Sequence, residues 1–168
     1  MKEYKEWETI DNIPTGDGYL PIVYAPEFMY NQQLSIVAAT KLQLADGSIC
    51  SGIVVDNGYL KITENLQILF LLHELGHIIN GDIELPKEEL DQINHDRLNG
   101  LMPEMEFLAD EFAIENYPID RLGNMLTDLN QFVKNIVDKF PDDVGVREFR
   151  NRHRIIAAHA RDRYRSCR

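Results

Sequence analysis

At 168 residues the chain is long enough to bury a true core as one domain. Its make-up, 44% hydrophobic and 27% charged, is that of a globular protein, and neither internal repeats nor low-complexity tracts point elsewhere. A formal net charge of −11 argues against general affinity for nucleic acid or for an anionic membrane.

The N-terminus, Met-Lys-Glu-Tyr-Lys-Glu-Trp-Glu, lacks the apolar centre of a signal peptide. The first fifty residues read as irregular structure and short strands, with candidates at 19–24 and 34–40 interrupted by Gly16, Gly18, Pro21 and Pro26. Residues 53–56 and 59–62 are stronger strand candidates, because Asn57-Gly58 between them is a two-residue hairpin signal. Thr63 then offers an N-cap for a helix over 64–81, closed by Gly81. Along it Ile68, Leu71, Leu72, Leu75 and Ile79 make an apolar stripe at helical spacing, expected to face the core. His73 and His77 lie on the other side, flanked by Leu66 and Phe70, so a central helix is expected. Gly76 costs about 1 kcal/mol relative to alanine there, which calls for a close packing contact. The longest apolar run, residues 68–72, is far short of the roughly 20 needed to cross a bilayer.

Residues 82–102 read as a polar connection with a short helix around 87–94. A second helix over 103–117 starts at Pro103 and stops before Pro118; Met105, Leu108, Ala109, Phe112 and Ala113 give it an apolar face. Two further helices, 120–140 and 143–164, follow. The first carries a stripe from Leu122 to Phe140; the second starts at Asp142-Asp143 and carries Val146, Phe149, His153, Ile156, Ala157 and Ala160. The expected class is α+β: one compact domain, 1–168, with a strand-rich part over 15–63 whose small, mostly antiparallel sheet packs on a helical core. Cys50 and Cys167 make no disulfide framework and lack metal-ligand spacing, so the cytoplasm is the expected setting.

His73-Glu74-Leu75-Gly76-His77 carries the chemistry. Residues four apart on a helix share a face, so His73 and His77 can each turn a ring nitrogen to one metal ion. Glu74, beside the ion, can take a proton from the metal-activated water. By chance alone this composition yields such a motif in roughly one chain in a hundred. A mononuclear zinc site needs a third protein ligand and an open fourth position. An extension of the motif to a further glycine and histidine is not present, since those positions hold Asn80 and Ile83. Glu106, on the second helix, is the expected ligand, and Asp110, four residues on, can hold a ligating histidine by its second ring nitrogen.

The pair of motifs, His73-Glu74-Leu75-Gly76-His77 and Glu106-Phe107-Leu108-Ala109-Asp110-Glu111-Phe112-Ala113, resembles the gluzincin metallopeptidases, and the compact ImmA/IrrE-type enzymes above all. The likeness spans roughly residues 50–117. It implies a zincin-like fold, zinc (Zn2+) held by His73, His77 and Glu106, Glu74 as catalytic base, Asp110 in support, and a protein or peptide substrate. It also implies a bacterial or prophage setting, in which many such proteins process repressors. An edge strand just before the metal helix would suit an extended substrate.

Other features bear on alternatives. His153 on an inward face, Tyr117 and Tyr164 are candidates to stabilise an oxyanion, though for His153 a satisfied core role weighs more. His95 reads as exposed, and His159 has no distinguishing context. Between Gly81 and Asn116 eleven acidic residues face only Lys87 and Arg97; from Arg147 to Arg168 eight arginines face Glu148 and Asp162. The acidic stretch reads as a solvated surface or as a rim for basic substrates, and the basic end as its packing partner or a binding surface. The leading reading is a zinc metallopeptidase. A zinc-stabilised regulatory or interaction module without protease activity is a second, and a helix-turn-helix reading DNA through the arginine-rich last helix a third.

Overall fold

The computed structural model describes residues 5, 7–15, 18–26, 29, 30, 33, 34, 36–98 and 101–167, with the backbone only at 29, 30, 33, 34, 94, 97, 98 and 144. Gly16, the first four residues and Arg168 lie outside these. The class is α+β, and the chain divides into two compact units, residues 1–62 and 63–168.

The first unit holds strands β1 (Glu8–Thr15), β2 (Gly18–Tyr24), β3 (Met29–Tyr30), β4 (Gln33–Leu34), β5 (Val37–Gln43) and β6 (Ile49–Val55). Four of them form a mixed sheet in the order β1-β2-β6-β5; β3 and β4 pair separately. β1–β2 and β5–β6 are antiparallel and β2–β6 is parallel, with Ile22 opposite Ile53. Ile53, Val54 and Val55 are fully buried, the continuous apolar run of a strand covered on both faces. Leu42 packs directly over Gly52, where a Cβ would lie 2.2 Å from Leu42 Cδ1.

The expected hairpin across Asn57-Gly58 does not form. Asp56 Oδ1 accepts from the backbone N–H groups of Gly58 and Tyr59 at 2.6 and 3.0 Å. It thereby starts a 3-10 turn over Tyr59–Lys61. Gly58 has an ordinary helical φ of −67°. Its glycine serves a close approach, since a Cβ would meet Ile36 Cγ2 at 2.7 Å. The true hairpin joins β5 to β6 through Asp46-Gly47, with Gly47 at φ +84° and Asp46 Oδ1 accepting from Ser48 N. The expected substrate edge falls with the misplaced hairpin: the last strand before the helix that carries His73 and His77, β6, is central, and the sheet's edges are β1 and β5.

The second unit holds α1 (Glu64–Asn80), α2 (Lys87–Leu98), α3 (Glu104–Asn116), α4 (Leu122–Lys139) and α5 (Val144–Ser166). Gly81 closes α1 in the left-handed region at φ +79°. Asp143 caps α5, its side chain accepting from Val146 N at 2.9 Å. Thr63 stands at the N-cap of α1 but makes no capping bond; its hydroxyl donates to Asp128 Oδ2 on α4 at 2.7 Å, and Asn65 Nδ2 donates to the same oxygen.

The buried face of α1 is also not the one its aliphatic stripe suggested. Leu66, Leu69, Phe70, His73, Gly76 and His77 are buried, whereas Ile79 is 59% exposed and Ile68, Leu71, Leu72 and Leu75 are only partly covered. On α3, likewise, Leu108 is exposed while Ala109, Ala113 and Ile114 are buried beside Glu106 and Asp110. Small residues explain the choice. A Cβ on Gly76 would lie 3.0 Å from Ala109 Cα and 3.2 Å from Ala109 O, so α1 and α3 meet backbone to backbone. Leu122, Met125, Leu129 and Val133 form the inner face of α4. Phe70, Phe132 and Phe149 join α1, α4 and α5 edge to face, with centroids 5.7–6.0 Å apart.

Candidate metal centre

The α1–α3 approach buries four ionisable side chains together: His73 and His77 are each 7% exposed, Glu106 5% and Asp110 6%. Burial of that many polar groups is costly unless each is paired. His73 Nδ1 lies 2.9 Å from Asp110 Oδ1, and His77 Nδ1 lies 2.8 Å from Asp82 Oδ2. Both carboxylates can only accept, so each Nδ1 carries the proton and each Nε2 keeps its lone pair. Those two Nε2 atoms are 3.1 Å apart, with no proton to share between them.

Glu106 closes the third side, its Oε2 lying 3.4 Å from His73 Nε2 and its Oε1 3.7 Å from His77 Nε2. All three residues offer ligand atoms within 4.8 Å of one another. Donors about 2.0–2.1 Å from one tetrahedral ion stand roughly 3.3 Å apart, which these spacings bracket. Two imidazole nitrogens and a carboxylate oxygen are also the donor types that zinc takes. The residues present therefore fit a single divalent cation.

Charge points the same way. Glu106, Asp110 and Asp82 are three carboxylates close to the histidines, and Arg152 is the cation that touches two of them. Carboxylates thus outnumber the guanidinium around the histidines, and Glu74 adds to the excess, a negative surplus that suits a cation. Burial pushes the His77 imidazole below its ordinary pKa, and its neighbour His73 adds to the effect; the neutral ring is the form that binds a metal. Burial opposes ionisation of Asp110, but Arg152 and His73 outweigh it and hold its carboxyl below the usual carboxylate range. Burial likewise opposes the charge on Arg152, and Asp110 more than restores it.

Glu74 follows His73 on α1 and is partly exposed, close enough to act electrostatically on both His77 and Arg152. Asp110 stands on His73, as the spacing suggested. Two of the three oxyanion candidates are bonded elsewhere, and the third stands far along α5 from Arg152. His153 Nε2 is 2.7 Å from Asn130 Oδ1 on α4. Tyr117 is fully buried and donates to Asn65 O at the start of α1. Tyr164 lies twelve residues beyond Arg152 on α5, about 18 Å along the helix axis. His95 is exposed on α2, and His159 rests edge-on to Phe107.

Two residues of the site were not foreseen. Asp82 sits five residues after His77, just past the left-handed turn at Gly81 that brings the chain back toward the ring. Arg152 comes from α5, where it is one of seven arginines. Its Nε and Nη2 donate to the two oxygens of Asp110 at 2.8 and 2.5 Å, and its Nη1 donates to Glu106 Oε2 at 2.5 Å. Arg163, on the same helix, donates to the carbonyls of Ile114 and Tyr117 at the end of α3. Two arginines of the basic helix thus face inward onto the acidic one.

No helix among the described residues is long and apolar enough to cross a membrane. Compared with models of known protein families, with curated proteins and with solved structures, this chain gives no match.

Proposed function

We propose that the protein is a zinc-dependent metallopeptidase of the compact gluzincin kind that its two motifs resemble. The observation that carries this reading is the convergence of His73 Nε2, His77 Nε2 and the Glu106 carboxylate, with both remaining imidazole nitrogens held by carboxylates. His73, His77 and Glu106 would hold the ion, leaving a fourth position for solvent and substrate. When bound, zinc supplies Lewis acidity that makes hydroxide available near neutral pH.

The chain's own residues do the rest. Asp110 and Asp82 fix the tautomer and direction of the two imidazoles and raise their donor strength. Glu74 accepts the proton of the attacking water, holds it, and returns it to the amine nitrogen as the C–N bond breaks. Glu74 alone is required for this proton transfer and not for holding the ion. The substrate is a protein or peptide, and the unpaired thiols of Cys50 and Cys167 support a cytoplasmic setting.

Purified protein should contain one zinc per chain, and comparison of a proteome digest by the wild type with one by Glu74→Gln should reveal peptides cut by the wild type alone. Glu74→Gln keeps the metal and loses cleavage by at least 100-fold, in line with the usual worth of a general base. A Glu74→Gln protein that cleaves as the wild type does refutes the assignment. Full zinc content with no cleavage by either protein would favour the zinc-stabilised regulatory module.

A further inference from the structure

We propose that Arg152 is a positioning residue of the metal centre, a single guanidinium that holds Glu106, Asp110 and His73 in the arrangement an ion needs. The inference rests on the metal-site reading above and adds to it a residue from the last helix. Arg152 grips Asp110 side-on through Nε and Nη2 and pins Glu106 Oε2 through Nη1. Its Nη2 also lies 3.1 Å from Nδ1 and 3.2 Å from Nε2 of His73. An atom nearly equidistant from both ring nitrogens sits over the face of the imidazole, not in line with either lone pair. The His73 lone pair at Nε2 is therefore left to the ion, while the ring is held between Asp110 at its edge and Arg152 on its face.

The grip depends on shape as well as charge. Glu106 and Asp110 lie one turn apart on α3, and only a planar fork with donors on three sides reaches both carboxylates and still covers the ring. The fork is itself held: Arg152 lies 5.9 Å from the Phe149 ring centroid, and Phe149 is wedged against Phe70 and Phe132. Arg163 provides an internal contrast. It stands eleven residues, about three turns, further along the same face of α5. It also binds α3, but at backbone carbonyls far from the histidines.

The test is zinc affinity by chelator competition and the visible spectrum of the Co2+-substituted protein, on the full chain. Arg152→Lys keeps the positive charge and loses the fork. It should weaken Zn2+ binding by roughly 10–100-fold, the usual cost of disturbing a residue that orients metal ligands, and alter the Co2+ band shape. Arg163→Gln should lower the melting temperature and leave both metal readouts unchanged. Arg152→Gln, neutral and shorter, serves should the lysine variant not fold, and should lose at least tenfold in affinity. Wild-type zinc affinity and an unaltered Co2+ spectrum in either folded Arg152 variant overturn the positioning role while leaving the metal centre standing. A wild-type protein that takes up neither Zn2+ nor Co2+ overturns the metal reading, and this inference with it.

Discussion

Gly76 links the packing of the helices to the geometry of the site, and a pair of glycine-to-alanine changes isolates that link. In a helix interior alanine is favoured over glycine by about 1 kcal/mol. Gly123, in the first turn of α4, has no heavy atom within 4 Å of the place a Cβ would occupy, so Gly123→Ala should stabilise the protein by up to about 1 kcal/mol. At Gly76 the same Cβ would meet Ala109 Cα at 3.0 Å, its carbonyl oxygen at 3.2 Å and its Cβ at 3.3 Å. Two of those three atoms are backbone, which cannot rotate away, so α1 and α3 must separate by a few tenths of an ångström. Overpacking of this kind costs about 1–3 kcal/mol, which offsets or exceeds the propensity gain. Gly76→Ala should therefore be neutral or destabilised by up to about 2 kcal/mol. The same displacement carries Glu106 away from the imidazoles by more than the ~0.2 Å tolerance of metal–ligand distances, so zinc affinity should fall together with stability. Urea unfolding in the presence of a chelator measures the first effect and competitive zinc titration the second. If Gly76→Ala is as stabilising as Gly123→Ala and binds zinc as tightly as the wild type, the close approach of α1 and α3 is not what builds the site.

Asp82→Ala should weaken zinc binding by roughly 10–100-fold by freeing the His77 ring, with little change in the melting point of metal-free protein; unchanged affinity would remove Asp82 from the site. The pH dependence of stability has two limbs. Asp110, depressed by Arg152 and His73 against its own burial, contributes stability that is present above the unfolded carboxylate pKa of about 3.9 and is lost as pH falls below it. Tyr117 is pushed up to about 12 by burial, with Asp128 and Glu64 adding to the shift and Arg121 opposing it. Its contribution is complete below the unfolded value of about 10 and is lost as pH rises toward 12. Spectrophotometric titration of the tyrosines should show two phenols that ionise well after the exposed ones, Tyr117 and the buried Tyr59, which burial also raises; Tyr117→Phe should remove the step near pH 12 and leave the later one. A single transition near pH 10 in the wild type would contradict the burial of these side chains.

Which parts of this protein were legible in its residues follows from the range of the interactions involved. The helix signals are local matters: the four-residue spacing of His73 and His77 and Gly81 at the left-handed turn on α1, and Asp143 as the side-chain cap of α5, all act within a turn or two of backbone. Glu106 and Asp110 were legible for the same reason, since their own spacing places both on one side of α3. Asn57-Gly58 misled because two competing local signals were present. The Asp56 side chain captured the backbone N–H groups of Gly58 and Tyr59, and the glycine answers to Ile36 instead of a hairpin turn.

Only the tertiary structure decided which face of α1 is buried, and the reason is volume. The aliphatic stripe offered more hydrophobic area, but Gly76, Ala109 and Ala113 let two backbones meet on the histidine face, and buried carboxylates and Arg152 satisfy the polar atoms there. Arg152 lies 46 residues from Glu106 and 42 from Asp110 in sequence, and no periodicity marks it out from the other arginines of α5. Its role is set by the crossing of α5 over α3. The motifs therefore determined what kinds of ligand the chain can offer, and the packing of α1, α3 and α5 determined that those ligands share one point, because donor atoms converge only where helices that are distant in sequence are brought into contact.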